Sequence, residues 1–312
     1  MALPMVEPRE GMPSRVVVYE VGPRDGLQNE PVTVPVEVKA EFVGRLLACG
    51  LQTVELTSFV PRSWVPQLGD AEELLAMLGA EVNPAGRVVL VPNERGLDRA
   101  VAAGARAVAI FASATESFAR RNLNRSVAES MAMFAPVVRR ARQEGMWVRG
   151  YVSMCFGDPW EGPVPTAQVA RVCEELLALG CDQVSLGDTI GVGTPGHVEA
   201  LLGELAGVGV GADRLAVHFH DTYGQALSNT LAALNLGVST VDASAGGLGG
   251  CPYAQSATGN LATEDLVWAL TGLGIEHGVD LEALVRTSVW MSSHLGRSSP
   301  SAVVRALADT GG

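Results

Sequence analysis

Eight short β-branched runs, each followed by a helix-patterned stretch and a glycine-containing stop, constrain this chain more than any other feature. They are Val16–Val21, Thr53–Thr57, Val88–Val91, Ala107–Phe111, Val148–Ser153, Gln183–Leu186, Leu215–His220 and Thr240–Ser244. Such alternation belongs to a parallel sheet, whose neighbouring strands need a crossover between them. The helical stretches include Glu37–Cys49, stopped by Gly50, and Thr166–Leu179, stopped by Gly180 with Thr166 as N-cap. Eight units over roughly 240 residues fit a (β/α)8 barrel. A doubly wound sheet is the competing solution, and it usually carries G-x-G-x-x-G straight after its first strand. Here that strand ends in Gly22-Pro23-Arg24-Asp25-Gly26, and the glycine-dense Gly246–Gly250 follows the last strand instead. Helical patterns continue over Thr263–Leu273 and Asp280–Leu295, followed by the Ser/Pro segment Ser298–Ser301, either an ordered tail or a mobile one. The expected fold class is α/β, a (β/α)8 TIM barrel with extra C-terminal helices. Residues 1–312 then form one catalytic domain, with the barrel over about 16–275 and a helical extension over about 276–312.

Size permits such a barrel, since 312 residues at 47% hydrophobic content can bury roughly three quarters of the unfolded chain's surface. The charge count, 22 Lys plus Arg against 34 Asp plus Glu, gives −12, and Lys39 is the only lysine. An acidic surface repels phosphate backbones, which disfavours nucleic acid as a partner. Anionic small molecules remain compatible where arginines gather. One such group is Arg120, Arg121 and Arg125, which suits a phosphate-bearing CoA thioester or a solvated helix face. Five cysteines (Cys49, Cys155, Cys173, Cys181, Cys251) without CxxC spacing argue against a disulfide framework or thiolate zinc site and for a reducing compartment. Cys49, Cys173 and Cys181 fall in or beside apolar helical patterns and are expected in the core. No window holds the roughly 18 uninterrupted apolar residues of a membrane span. Residues 1–15 carry neither an apolar h-region nor a basic amphipathic stretch. A cytoplasmic protein without membrane association is the expectation.

A barrel draws its active site from C-terminal strand ends and the loops after them. At those ends stand Arg24 and Asp25, Glu55 with Ser58, Asn93, Ser113, Tyr151 with Ser153, Asp188, His218 with His220, and Asp242 with Ser244. A purely structural barrel has little reason to gather Asp, Glu and two His on one rim. His218 and His220, two residues apart on a strand, point to one side of the sheet. Asp25 arrives from the first strand, next door in a closed barrel, so two nitrogens and one oxygen can converge on Mg2+, Mn2+ or Zn2+. A capping His beside a packing His is the competing account. His197, His277 and His294 lie in helix-patterned stretches and suit solvated or capping roles. Cys251 sits in the loop Gly246–Ala254, whose glycines bend at little cost. A thiol there, with an ordinary pKa of about 8.5, could transfer a proton, act as a nucleophile or merely fit a tight turn.

At these positions the sequence resembles the 3-hydroxy-3-methylglutaryl-CoA (HMG-CoA) lyases of the metal-dependent TIM-barrel lyase group, from about Val16 to Leu273. The matching segments are Glu20–Glu30, Thr57–Val60, Trp64–Gln67, Ser185–Gly191, His218–Gln225, Gly247–Ala254 and Gly259–Asp265. The loop Cys251-Pro252-Tyr253 discriminates, because related Claisen-condensing barrels, the isopropylmalate and homocitrate synthases, share the paired histidines and are not expected to carry it. The resemblance implies retro-Claisen cleavage of HMG-CoA to acetyl-CoA and acetoacetate, in leucine catabolism or ketone-body metabolism. It also implies a divalent cation, Mg2+ or Mn2+, held by Asp25, His218, His220 and the carboxamide oxygen of Asn260, with Glu55 and Asp188 shaping the rim. Substrate contacts are expected from Arg24, Gln28, Ser58, Tyr151, Arg120 and Arg121.

Breaking the bond between a tertiary carbinol carbon and the carbon alpha to a thioester requires removing the hydroxyl proton and holding the electrons that arrive on the thioester. A metal chelating the hydroxyl acidifies it, and Arg24 would stabilise the enolate oxygen. The enolate is then protonated at carbon, with Cys251 as donor and with His218 and Asp25 sharing the acid/base relay. One alternative is the same cleavage on a longer 3-hydroxy-3-alkylglutaryl-CoA. Another is a non-catalytic CoA-ester-binding barrel, against which the rim of Arg24, Asp25, Glu55 and Cys251 argues. Cys155–Gly162 departs from the Cys-Pro-Tyr of some members and bears on acyl-chain specificity. The apolar helices after Thr263 suit a dimer interface as well as barrel closure, and a homodimer or higher homo-oligomer is expected.

Overall fold

Runs rich in Val, Ile and Leu with little polar alternation suit strands covered on both faces, and each of the eight lies in a parallel strand. The computed structural model describes residues 4–79, 86–250 and 259–308. Its strands are β1 (Val17–Glu20), β2 (Thr53–Ser58), β3 (Arg87–Leu90), β4 (Ala107–Ser113), β5 (Trp147–Ser153), β6 (Gly157–Asp158), β7 (Gly162–Pro163), β8 (Gln183–Asp188), β9 (Leu215–Phe219) and β10 (Thr240–Ala243). Eight of them close in the order β1-β10-β9-β8-β5-β4-β3-β2, and β6 with β7 forms a separate antiparallel pair. Closure is made by β1, where Tyr19 faces Thr53 on one side and Asp242 on the other. The fold is thus the (β/α)8 barrel expected.

The helices are α1 (Val36–Ala48), α2 (Ala71–Leu78), α3 (Glu94–Ala102), α4 (Glu116–Leu123), α5 (Val127–Gln143), α6 (Thr166–Leu179), α7 (Pro195–Gly207), α8 (Ala226–Asn235), α9 (Thr263–Gly272), α10 (Leu281–Leu295) and α11 (Ala302–Ala308). Gly180 ends α6 with φ of 110°, in the left-handed region that glycine enters without a Cβ penalty. Thr166 is not the N-cap of α6. Pro165, extended at φ −63° and ψ 134°, occupies that place and makes Thr166 the first helical residue. His277 lies between α9 and α10 rather than on a helix, bonded to Thr271 and to the Val279 amide. Ser298–Ser301 is tied down, Ser299 Oγ donating to Gly246 O (2.7 Å) and Ser301 Oγ to Asp265 (2.7 Å). Cys49, Cys155, Cys173 and Cys181 are free and buried. Among the described residues no helix is long and apolar enough to cross a membrane.

Most apolar burial lies between the strands and the helix ring. A second, smaller cluster fills the barrel itself with Tyr19, Val21, Val88, Leu90, Ala107, Ala109 and Tyr151. Arg149, fully buried on β5, sits in this interior, its Cζ 3.8 Å from the Tyr19 ring centroid and 4.9 Å from that of Tyr151. An unpaired charge there would be untenable. Asp242 on β10 supplies the counter-ion, 2.6 Å from Arg149 NH2.

Glu20 closes the top of this core, joining the first strand to the last. Its Oε1 accepts from the amides of Gly22 (2.7 Å) and Ala245 (2.9 Å), and its Oε2 accepts from Thr263 Oγ1 (2.6 Å). Burial pushes its pKa up from 4.5 to about 7 against these three donors. Between those values an unfolded chain ionises while the folded one stays protonated, so this group's contribution to stability falls as pH rises, by at most about 1.4 kcal/mol per unit. Below 4.5 the contribution is complete, and above 7 the loss is complete. Glu20→Gln keeps an oxygen for both amides, turns the Thr263 contact round so that Nε2 donates to Oγ1, and lacks the titration. Its Tm relative to wild type should climb between pH 4.5 and 7 and level off above, as followed by thermal melts; a pH-independent difference would contradict this account.

Candidate active site

Arg24 and Asp25 are delivered to the barrel mouth by a single π-helical turn, Gly22–Gly26, directly after β1. Glycine is required at both ends of this turn. A Cβ on Gly22 would stand 2.5 Å from Glu20 Oε1, and one on Gly26 would stand 2.7 Å from Ser244 Oγ. The Arg24 guanidinium is buried between two carboxylates, with Nε 2.8 Å and NH2 2.7 Å from Glu55 Oε2 and NH1 bonded to Asp25 Oδ1. Three of its five N–H donors are thereby taken and two remain. Burial alone would raise the Asp25 carboxyl, but Arg24, His218, His220 and Asn260 hold it well below the usual range.

The paired histidines of β9 and the residue beyond it turn inward together. His218 Nε2 and His220 Nε2 lie 3.2 Å apart, and each is 3.9 Å from Asp25 Oδ2. Burial, followed by the neighbouring His218, lowers His220 to about 4 and keeps its imidazole neutral with a lone pair to offer. Asp242 Oδ2 lies 3.1 Å from His218 Nδ1, which leaves Nε2 to face the triangle. Asn260 Nδ2 donates to Asp25 Oδ2 (2.9 Å) and Leu248 O (3.1 Å). Its Oδ1 is buried without a partner among the described residues. Two imidazole nitrogens, one ionised carboxylate and one spare amide oxygen form a donor set that fits a divalent cation of hard or intermediate character.

These groups open into a cavity of about 440 Å3, lined on its polar side by Arg24, Asp25, Gln28, Tyr151, His218 and His220. Val60, Leu90, Phe111, Phe118 and Val152 form the apolar side. Other residues expected at the site stand elsewhere. Glu55 lies behind Arg24, its Oε2 also accepting from Tyr151 OH (3.0 Å), so it orients those two side chains and does not line the cavity. Asp188 gives its carboxylate to the amides of Val192 (3.0 Å) and Gly193 (2.8 Å), and burial raises it to about 6. It braces its own loop rather than the rim. Ser58 Oγ accepts from the Val60 amide and is likewise turned to its loop. Arg120 is exposed and paired with Glu116 at 3.5 Å, while Arg121 stacks 4.2 Å from the Trp160 ring; neither lines the cavity. Cys251 lies outside the described residues. The sequence reading missed Arg149 and gave Asp242 no role; the available signal was a charged residue inside the β5 run.

The sequence profile of the HMGL-like family matches residues 15–290. The chain is 51% identical over 298 residues to the mitochondrial hydroxymethylglutaryl-CoA lyase of Arabidopsis thaliana, covering 96% of this chain and 63% of that protein's length. It superposes on the hydroxymethylglutaryl-CoA lyase of Pseudomonas aeruginosa with a TM-score of 0.92 at 45% identity, covering 96% of this chain and 99% of the other. An HMG-CoA lyase from Acinetobacter baumannii, solved with coenzyme A and 3-methylmalate, gives 0.89 at 35% identity, covering 98% of both chains.

The contact between Asp242 and His218 makes a prediction of its own. Asp242→Asn weakens the acceptor that orients His218 and leaves the Arg149 charge uncompensated. Mn2+ affinity, read by electron paramagnetic resonance, should fall by about 10- to 100-fold with a lowered Tm. Unchanged affinity would remove Asp242 from the support of the triangle.

Proposed function

Because the chain belongs to the HMGL-like family, we propose that it is a carbon–carbon lyase cleaving HMG-CoA to acetyl-CoA and acetoacetate, with Mg2+ or Mn2+ as cofactor. The observation that carries this reading is the meeting of a buried arginine with the Asp25, His218 and His220 triangle in one cavity, in a chain so similar to proteins named for that reaction. That shared name favours HMG-CoA over a longer 3-alkyl homologue and a catalyst over a binder.

Asp25, His218, His220 and Asn260 would hold the cation, which when bound supplies Lewis acidity toward the substrate's tertiary hydroxyl. The two uncommitted N–H groups of Arg24, which lines the cavity, would stabilise the thioester oxygen, where negative charge gathers as the carbon–carbon bond opens. Glu55 and Asp25 fix the guanidinium plane beforehand, so little reorganisation is left for the moment of reaction. By sequence the acid/base relay is assigned to Asp25 and His218, so far as they are not engaged by the cation, and the protonation of the enolate carbon to Cys251. The apolar wall of Phe111, Phe118 and Val152 keeps water from the carbanion. The four cysteines among the described residues are free and buried, which fits a reducing compartment, and we propose the cytoplasm.

A coupled assay for acetyl-CoA release from HMG-CoA, run on metal-stripped protein with and without Mg2+ or Mn2+, tests the proposal. Release that depends on added metal is expected. Silence with both metals, in protein that is folded by circular dichroism, would overturn it.

A further inference from the structure

The segment after α10 reaches back to the barrel mouth, and we infer that Ser299 is a positioning residue that fixes, from outside the barrel, the glycine turn on which Asn260 rests. Gly246, Gly247 and Gly249 all have left-handed φ, at 67°, 65° and 123°. Such a run bends freely and is costly to hold in one shape. At Gly246 both backbone polar groups are held by buried side chains. The N–H donates to the two Glu264 oxygens (3.1 and 2.9 Å), with Glu264 itself bonded by Ser288 of α10. The carbonyl accepts from Ser299 Oγ at 2.7 Å. Pro300 closes over the next residue, its Cγ 3.0 Å from where a Gly247 Cβ would stand.

The turn held in this way carries the Leu248 carbonyl, which accepts from Asn260 Nδ2 at 3.1 Å. Gly249 leaves the space that the same amide occupies, since a Cβ there would lie 2.7 Å from Asn260 Nδ2. Asn260 in turn touches Asp25 at 2.9 Å. A hydroxyl that does not line the cavity therefore acts on the candidate cation site through Gly246, Leu248 and Asn260. Only the significance of the Asn260 end rests on the proposed function; the clamp on Gly246 does not.

Two variants of near-equal shape isolate the hydroxyl, Ser299→Thr keeping it and Ser299→Val replacing it with methyl. In the full chain, hydrogen exchange over residues 244–250 should be faster in the Val variant by about tenfold or more, with the Thr variant close to wild type. Mn2+ affinity, read by electron paramagnetic resonance, should fall about tenfold in the Val variant alone. Ser301→Ala, which removes contacts of the same segment to Asp265 and Val304, should lower Tm without moving either readout. Equal exchange in the Val and Thr variants, or a Ser301→Ala effect matching that of Ser299→Val, would overturn the inference. If wild type takes up no Mn2+, the cation reading fails while the exchange comparison still decides the clamp.

Discussion

A guanidinium buried between two carboxylates is the interaction on which the rest of this site depends. Arg24 could not be held out of water without Glu55 and Asp25. Asp25 in turn owes its low pKa to Arg24 and the two histidines beside it. The π-helical turn, with glycine forced at both ends, is the local price of putting adjacent residues on both sides of one charge network. Arg24 faces the cavity with its spare donors, while Asp25 faces the histidines.

The same logic runs down the barrel axis. Arg149, stacked between Tyr19 and Tyr151, holds Asp242 in place, and Asp242 sets the imidazole of His218. The interior is therefore packed with a polar column rather than with aliphatic layers alone. Its upper end is the candidate site, so core packing and the orientation of a ligating nitrogen are one structural problem. Glu20 and the C-terminal segment extend this support to the turns at the mouth.

The strands and their closure were legible in the sequence because β-branched runs and glycine stops are local signals. The approach of Asp25 to His218 and His220 follows once the barrel closes β1 on β10, although β9, read as next door to β1, stands one strand further along. What pattern could not convey is which way a rim side chain turns. Glu55 within β2 and Asp188 at the end of β8 both belong to barrel strands, yet one is taken up by Arg24 and the other by amides of its own loop. Arg120 and Arg121 are close in sequence to Phe118, which lines the cavity, but their positions on α4 turn them toward Glu116 and Trp160. Arg149 escaped notice because a charge inside a hydrophobic run has no local explanation; its partner is 93 residues away. Long-range pairing of this kind is settled by the closed barrel, not by spacing.

The most direct test of the account is the turnover of Arg24→Gln on HMG-CoA at saturating Mn2+, with Mn2+ affinity measured on the same protein. Removing the charge that faces the developing enolate should cost at least about 10²- to 10³-fold in turnover, while Asp25, His218, His220 and Asn260 still take up the cation. Turnover near the wild-type value at full metal occupancy would contradict it.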